Sequence, residues 1–233
     1  MPIKSEKSHS TAAYVLLKQR IVSGEFGPND TLREIDLAKL LDMSRTPVRE
    51  AVKRLEDEGL LTRIPRKGLT ITKLNQTSIT ELYAFREILE CGAARLAARF
   101  ADDMEIENMR AILEESRSFA DPVRSNYEFH QALYAASHNQ FLVKAINSLI
   151  DSTALLGQST LAHTGRPEIA YKEHLELFAS IEAHDEKQAE ATAREHIRQA
   201  LLARLKQQRA AMVNRSNASS PIEGDATVAT AKQ

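Results

Sequence analysis

The sequence predicts a mainly α-helical chain in two unequal parts. The first is a small set of short helices closed by a two-stranded hairpin; the second is a larger antiparallel helical bundle. Three observations predict this. Glycine and proline crowd the first part at Gly24, Gly27, Pro28, Pro47, Gly59, Pro65 and Gly68, whereas between Leu69 and Gly165 only Gly92, Pro122 and Gly157 occur. Both residues disfavour helix interiors, so long helices fit only the second part. Charge divides at the same place: residues 1–76 carry 14 Lys+Arg and 10 Asp+Glu, a balance of +4, and residues 77–233 carry 17 and 22, a balance of −5. Apolar residues recur at helical spacing, without an internal repeat or a heptad run.

In the first part, Ala12–Ser23 places Val15, Leu16 and Ile21 at near-helical spacing and stops at Gly24, a common residue just past a helix end. Gly27-Pro28-Asn29-Asp30 reads as a turn. A short helix over Glu34–Leu41 is expected to bury Ile35, Leu37, Leu40 and Leu41, and Asp42-Met43-Ser44 breaks it. The next helix runs to Asp57, with Val48, Val52 and Leu55 on one face and Arg45, Arg49 and Lys53 on another. Pro47 fits its first turn, where the amides have no intrahelical acceptor. Leu60–Ile64 and Leu69–Thr72 then read as strands around the turn Pro65-Arg66-Lys67-Gly68.

The second part reads as six helices: Thr77–Phe100, Met104–Ala120, Val123–Ser137, Gln140–Leu161, Pro167–Ala183 and Glu186–Ala211. Short connections such as Asp102-Asp103 and His184-Asp185 suit antiparallel neighbours. The expected domains are therefore 1–76 and 77–212. Residues 213–233 are rich in Asn, Ser, Ala and Thr without aromatics or periodicity, and are expected to be a disordered tail.

Composition narrows the function classes. With 233 residues, 42% hydrophobic and 27% charged, the chain has the make-up of a globular protein. No run approaches the roughly 18–20 apolar residues of a membrane helix, so no membrane partner is expected. The start, MPIKSEKSHS, lacks the apolar core of an export signal, and Cys91, the single cysteine, cannot form an internal disulfide. Both fit a cytoplasmic protein. The net charge of −1 argues against nucleic acid only if charge is evenly spread, which it is not.

Helix, helix, turn, helix and basic hairpin make the outline of a winged helix-turn-helix. A major groove admits one helix, and reading it requires polar and basic side chains on that helix's outer face. Arg45, Thr46 and Arg49 occupy such a face, with Ser44 at its start. Arg66 and Lys67 at the hairpin tip, with Gly68 permitting the tight turn, suit phosphate or minor-groove contact, and Arg33 is placed to fix the domain on the backbone. A basic helix alone is as consistent with a solvated face. The words are more specific: Ile21-Val22-Ser23-Gly24, Gly27-Pro28, Leu32-Arg33-Glu34, Leu37-Ala38, Ser44-Arg45-Thr46-Pro47-Val48-Arg49-Glu50-Ala51 and Leu55-Glu56-Asp57-Glu58-Gly59-Leu60-Leu61. In this order, Val15–Leu74 resembles the DNA-binding domain of the GntR family of bacterial transcription regulators. The resemblance implies double-stranded DNA as partner, a two-fold-symmetric operator and a homodimer.

Of seven histidines, four (His9, His138, His163, His184) fall in the amino-terminal arm or near helix ends, where exposure is the default. His130 follows Asn126 by four residues, which puts both on one helix face. His174 and His196 are equidistant from the His184-Asp185 turn, so an antiparallel hairpin sets them at one height. Three imidazoles and an amide oxygen converging in a bundle would make a divalent-metal site with open positions. Spacing alone equally admits surface or satisfied core histidines. The surrounding words resemble the FadR-type effector domain (FCD) over Ile79–Arg204: Arg86-Glu87-Ile88-Leu89-Glu90, Ala93-Ala94-Arg95-Leu96-Ala97-Ala98, Phe129-His130-Gln131-Ala132-Leu133, Ala136-Ser137-His138-Asn139, Glu173-His174 and Glu195-His196-Ile197. Six helices are similar to the shorter, VanR-like arrangement.

That resemblance implies a fold that is mainly α, an N-terminal winged helix-turn-helix followed by an all-α antiparallel helical-bundle effector domain. It implies metal ligands at Asn126, His130, His174 and His196, where Asn126 departs from the aspartate of the metal-binding members. Three histidines favour zinc, with nickel, manganese or iron as alternatives. The implied effector is a small carboxylic acid, such as a sugar acid or hydroxy acid, at the metal. Arg86 is the candidate carboxylate clamp, with a surface ion pair to Glu90 as the equal alternative, and Tyr134 is a further pocket candidate.

The expected function is that of a repressor responsive to this acid. A metal-dependent enzyme is the alternative of a different class. Glu173 and Glu195 adjoin candidate ligands, but helix neighbours point about 100° apart, and no nucleophile motif or phosphate loop is present. The chain is therefore not expected to be an enzyme. A DNA-binding dimer without effector response is a further alternative, and the acidic second part weakens an architectural role.

Overall fold

A computed structural model describes residues 3–27 and 30–218, with side chains over 9–27 and 30–213. Helix α1 (Ile3–Val22) packs across α3 (Arg45–Asp57), with α2 (Glu34–Leu40) beside it. Strands β1 (Leu61–Ile64) and β2 (Gly68–Ile71) pair antiparallel in the register Leu61 to Ile71. Leu32 joins their edge through Leu32 N–H to Leu69 O at 2.7 Å and Leu69 N–H to Leu32 O at 2.9 Å. The chain closes the Gly27–Asp30 turn by Gly27 N–H donating to Asp30 Oδ2 at 2.7 Å, while Pro28 and Asn29 lie outside the described residues.

Two expected faces are corrected. In α1 the buried side chains are Ala13, Tyr14, Leu17 and Ile21, and Val15 and Leu16 are exposed. The buried stripe follows i, i+4, i+8 from Ala13, which the apolar Val15-Leu16 pair obscured. In α2 only Leu37 and Ala38 are buried; Ile35 and Leu40 are exposed and Leu41 half-buried. A helix of seven residues turns only one narrow face to α3. In α3 the reading holds: Val48, Ala51, Val52 and Leu55 are buried.

The bundle comprises α4 (Gln76–Phe100), α5 (Asp103–Ser116), α6 (Pro122–Ala136), α7 (Gln140–Thr153), α8 (Arg166–Glu182) and α9 (Glu186–Ala218). Side-chain caps start most of them: Asn75 on Ser78 N–H, the reciprocal Asp102–Glu105 capping box, Asp121 on Arg124 N–H and Asn139 on Phe141 and Leu142 N–H. Ala93, Ala94, Ala97 and Ala98 of α4 are fully buried, as is Ala189 of α9. Small residues on both let these two long helices approach closely. The larger core side chains are Met109, Phe129, Leu133, Ile146, Leu177 and Ile181.

Several boundaries move: α1 begins at Ile3 rather than Ala12, and α5 ends at Ser116 rather than Ala120. The helix expected over Gln140–Leu161 ends at Thr153 and is followed by single 3₁₀ turns at Ala154–Leu156 and Thr160–Ala162. Gly157, at φ 75° and ψ −145°, reverses the chain between them. Helix α9 passes the expected end and reaches Ala218, because no glycine or proline interrupts it before Pro221. Residues 219–233, most of the segment expected to be disordered, lie outside the described residues. The amino-terminal core meets the bundle where Leu155 packs against it and Lys18 of α1 pairs with Asp151 of α7. Among the described residues no helix is long and apolar enough to cross a membrane.

Candidate functional site

On α3, Arg45, Thr46 and Arg49 are exposed on the face opposite Val48, Val52 and Leu55, and Ser44 precedes the helix with its hydroxyl free of a cap bond. Arg66 and Lys67 are exposed at the hairpin tip, where Arg66 adopts φ 65°. Gly68 has φ 110°, and a Cβ there would meet Leu32 O at 2.9 Å, so only glycine fits. Arg33 and Arg45 line one shallow groove together with Gly68. Arg33, Arg45, Arg49, Arg66 and Lys67 form no ion pair among the described residues, whereas Arg63 is held by Glu34 and Glu56 and Arg54 by Glu58. Arg54 also lies 3.6 Å over the Tyr14 ring. The basic residues thus sort into a structural set and an outward, uncommitted set along α3 and the hairpin.

Within the bundle, His130 of α6, His174 of α8 and His196 of α9 converge, each about 95% buried. Their ring centroids stand 4.9–5.2 Å apart, and one nitrogen from each falls within 4.8 Å of the others. Hydrogen bonds settle which nitrogens are free. The Tyr134 hydroxyl donates to Glu90 Oε2 at 2.7 Å, so at 3.2 Å it accepts from His130 Nδ1–H, leaving His130 Nε2 bare. His196 Nδ1 donates to Glu173 Oε2 at 2.7 Å and likewise frees Nε2. Among the described residues His174 Nε2 is buried with no hydrogen-bond partner. Burial drives the His130 imidazole down to about 3 and holds His174 well below its usual range. Both are therefore neutral, the form that ligates cations. Three imidazoles with converging unpaired nitrogens, His196 backed directly by Glu173 and His130 through Tyr134 by Glu90, fit a divalent metal ion.

Carboxylates and arginines surround this cluster. Arg86 Nε donates to Glu90 Oε1 at 2.8 Å, and Glu90 is only 4% exposed, so the pair is formed but is not a surface one. Burial opposes the charge on Glu90, yet the Arg86 guanidinium and the hydrogen bond from the Tyr134 hydroxyl hold the carboxyl below its usual range. Arg166 grips Glu173 through two bonds of 3.0 Å. Burial opposes that carboxylate too, and the His196 and Arg166 hydrogen bonds outweigh it. Beside the cluster opens a cavity of about 360 Å³ whose wall includes Arg86, Asn126, His130, Tyr134, Arg166, His196 and Arg204. Asn126 also borders a crevice against His174.

All the residues expected in the bundle site thus meet at one place. Sequence reasoning missed Arg166 and Arg204 and undervalued Glu90. Arg166 carries a faint signal, standing two helical turns before Glu173 on one face of α8. The remaining histidines are exposed: His138 binds Glu105 at 2.9 Å, His184 binds Ala98 O at 2.8 Å, and His163 has no role in the cluster.

Known proteins agree with both halves. Residues 9–71 match the family described as bacterial regulatory proteins, gntR family, and residues 81–199 match the FCD domain. The HTH-type transcriptional regulator YdhC of Bacillus subtilis (strain 168) is 32% identical over 196 residues, which cover 79% of this chain and 84% of YdhC. The HTH-type transcriptional repressor RspR of Escherichia coli (strain K12) is 24% identical over 192 residues, 80% of this chain and 84% of RspR. Among solved structures, E. coli McbR/YncC shares the fold at a TM-score of 0.72 and 22% identity, across 86% of this chain and 98% of its own. With an uncommitted basic helix in front and a histidine-centred bundle behind, each matched in its own right, the chain belongs to the GntR family of transcriptional regulators, in the branch that carries an FCD domain.

Proposed function

We propose that the chain is a homodimeric repressor of a two-fold-symmetric operator, controlled by a small organic acid that binds beside a divalent metal in the bundle. The buried, partnerless Nε2 of His174 carries the metal reading, since a polar atom left unpaired in a core is costly unless something binds it. His130, His174 and His196 would hold the ion, with the Asn126 amide oxygen as a weaker fourth ligand. Zinc suits three imidazoles best, with nickel, manganese or iron as alternatives. When bound, the metal supplies a positive centre for an acid's carboxylate. Glu173 would orient His196 directly, and Glu90 would orient His130 through the Tyr134 hydroxyl. Arg86 and Tyr134 border the cavity and would contact the acid, Arg86 through a guanidinium already paired with Glu90.

On the DNA side, Ser44, Arg45, Thr46 and Arg49 would read the major groove. Arg33, Arg66, Lys67 and the Gly68 turn would hold the phosphates or enter the minor groove. A repressor role is supported by the name of RspR. An acid changes operator affinity only to the extent that it binds the two arrangements of the readers unequally.

The test combines elemental analysis with operator gel shifts, using sugar acids and hydroxy acids with and without chelator. We expect about one metal per protomer, lost in His174→Ala, and an acid response abolished by chelation. Full metal content in His174→Ala overturns the metal site. Operator affinity indifferent to every acid and metal reduces the bundle to a dimeriser.

A further inference from the structure

Three arginines border the cavity, and they differ in one respect. Arg86 is neutralised by Glu90 and Arg166 by Glu173. Arg204 of α9 is only 6% exposed, yet no carboxylate lies within ion-pair distance of it among the described residues. Its Nη1 donates to Leu156 O at 3.2 Å, Gln158 O at 2.9 Å and Gln207 Oε1 at 2.6 Å, and its Nε is buried without a partner. Two carbonyls and an amide supply dipoles, not a countercharge. A full cation buried on dipoles alone is expensive, and a guanidinium so placed favours an anion that completes its shell.

The position of Arg204 says how such an anion would lie. His196, Ala200 and Arg204 recur at i, i+4 and i+8 and all border the same cavity. They stand on one face of α9, with His196 and Arg204 about 12 Å apart along the axis. The arginine side chain and the imidazole each cover part of that span. A single carboxylate at the histidines leaves Arg204 without a countercharge. A molecule with a carboxylate at each end of a short carbon chain reaches both.

We propose that Arg204 is the second anchor of this cavity, and that its ligand is a short dicarboxylate with one carboxylate at the histidine cluster and the other on Arg204. The proposal rests on the reading above that an acid binds beside the histidines, and it names the class of acid. Bidentate pairing with a planar carboxylate is what a guanidinium offers and an ammonium does not. Because the same guanidinium holds Leu156 O and Gln158 O, the second carboxylate also bears on the segment between the 3₁₀ turns.

The test is calorimetric titration of the full-length, zinc-loaded protein with succinate, glutarate and malate, each against its half-amide. The half-amide keeps length and one carboxylate but loses the second charge. The expected result is at least one diacid binding tenfold or more tighter than its half-amide. Arg204→Gln should lower the diacid to the half-amide's level while leaving half-amide binding and zinc content unchanged. Arg204→Lys should retain charge but lose most of the preference, and it decides the matter if the glutamine variant fails to fold. Equal affinity for every diacid and its half-amide overturns the proposal, as does a preference that survives in Arg204→Gln. A chelated arm separates the two readings. Diacid preference that persists without zinc keeps Arg204 and removes the metal, whereas zinc-dependent binding without preference keeps the metal and removes Arg204.

Discussion

Removing the Glu90 carboxylate leaves the mostly buried Arg86 guanidinium without its countercharge. Glu90→Ala is therefore expected to cost about 3–5 kcal/mol, the range for a buried pair broken from one side. The double change Arg86→Met with Glu90→Leu removes both charges and should recover most of that loss. Urea unfolding with chelator present checks it, since metal binding would otherwise add its own stabilisation. A single variant as stable as wild type would mean that water reaches the pair. One position along α4, Cys91 faces the core at 4% exposure, and burial pushes its thiol up to about 11. Since only the thiolate reacts, iodoacetamide at neutral pH should label the folded chain slowly, faster as pH rises, and fully once it is unfolded. Rapid native labelling at neutral pH would contradict that burial. At this scale the sequence revealed the groups that repeat at helical spacing, Asn126 with His130 and His174 opposite His196. It concealed Arg204, whose neighbours come from a part of the chain whose path the pattern misjudged.

That misjudgement concerns one element. Ala154, Leu155 and Leu156 extend the apolar pattern of α7, and a lone glycine costs a helix only about 1 kcal/mol, so the pattern runs on past Gly157. Arg204 donates to the Leu156 and Gln158 carbonyls, which lie outside the helix, and the turns there form part of the cavity wall. The hairpin was legible because its turn residues have few other uses, and α3 because its apolar and basic faces separate cleanly. Two glycine variants divide these elements. Gly68→Ala forces a Cβ against Leu32 O at positive φ, which should cost about 1–3 kcal/mol and loosen the hairpin from its strand partner. Operator affinity should fall severalfold while acid binding stays unchanged. Gly157→Ala has open space but an equally strained backbone, and should weaken acid binding while leaving operator affinity within twofold. Gel shift and calorimetry on the two proteins read the crossing; identical effects in both would mean that the strain spreads beyond its element.

Over the whole molecule, a net charge of −1 conceals a basic DNA-binding part and an acidic bundle. The structure sharpens this further, because several basic residues of the first part are already committed. Lys18 is paired with Glu58 and Asp151, Arg54 with Glu58, and Arg63 with Glu34 and Glu56. The proposed DNA contacts Arg33, Arg45, Arg49, Arg66 and Lys67 stand outside these pairs, a division that residue counts could not make because it depends on which side chains the fold brings together. If Arg45 and Arg49 face base edges, the phosphate contacts are Arg33, Arg66 and Lys67 from each protomer. In the two-fold complex proposed above, the slope of log affinity against log salt is then about −5. Lys67→Ala, removing one contact per protomer, should make that slope shallower by about 2 and weaken all sequences alike. Arg49→Ala should instead reduce the preference for operator over random duplex. Filter binding across a salt series measures both quantities. A Lys67→Ala protein with an unchanged slope would take the hairpin tip off the phosphates, and an Arg49→Ala protein with intact operator preference would take α3 out of the groove.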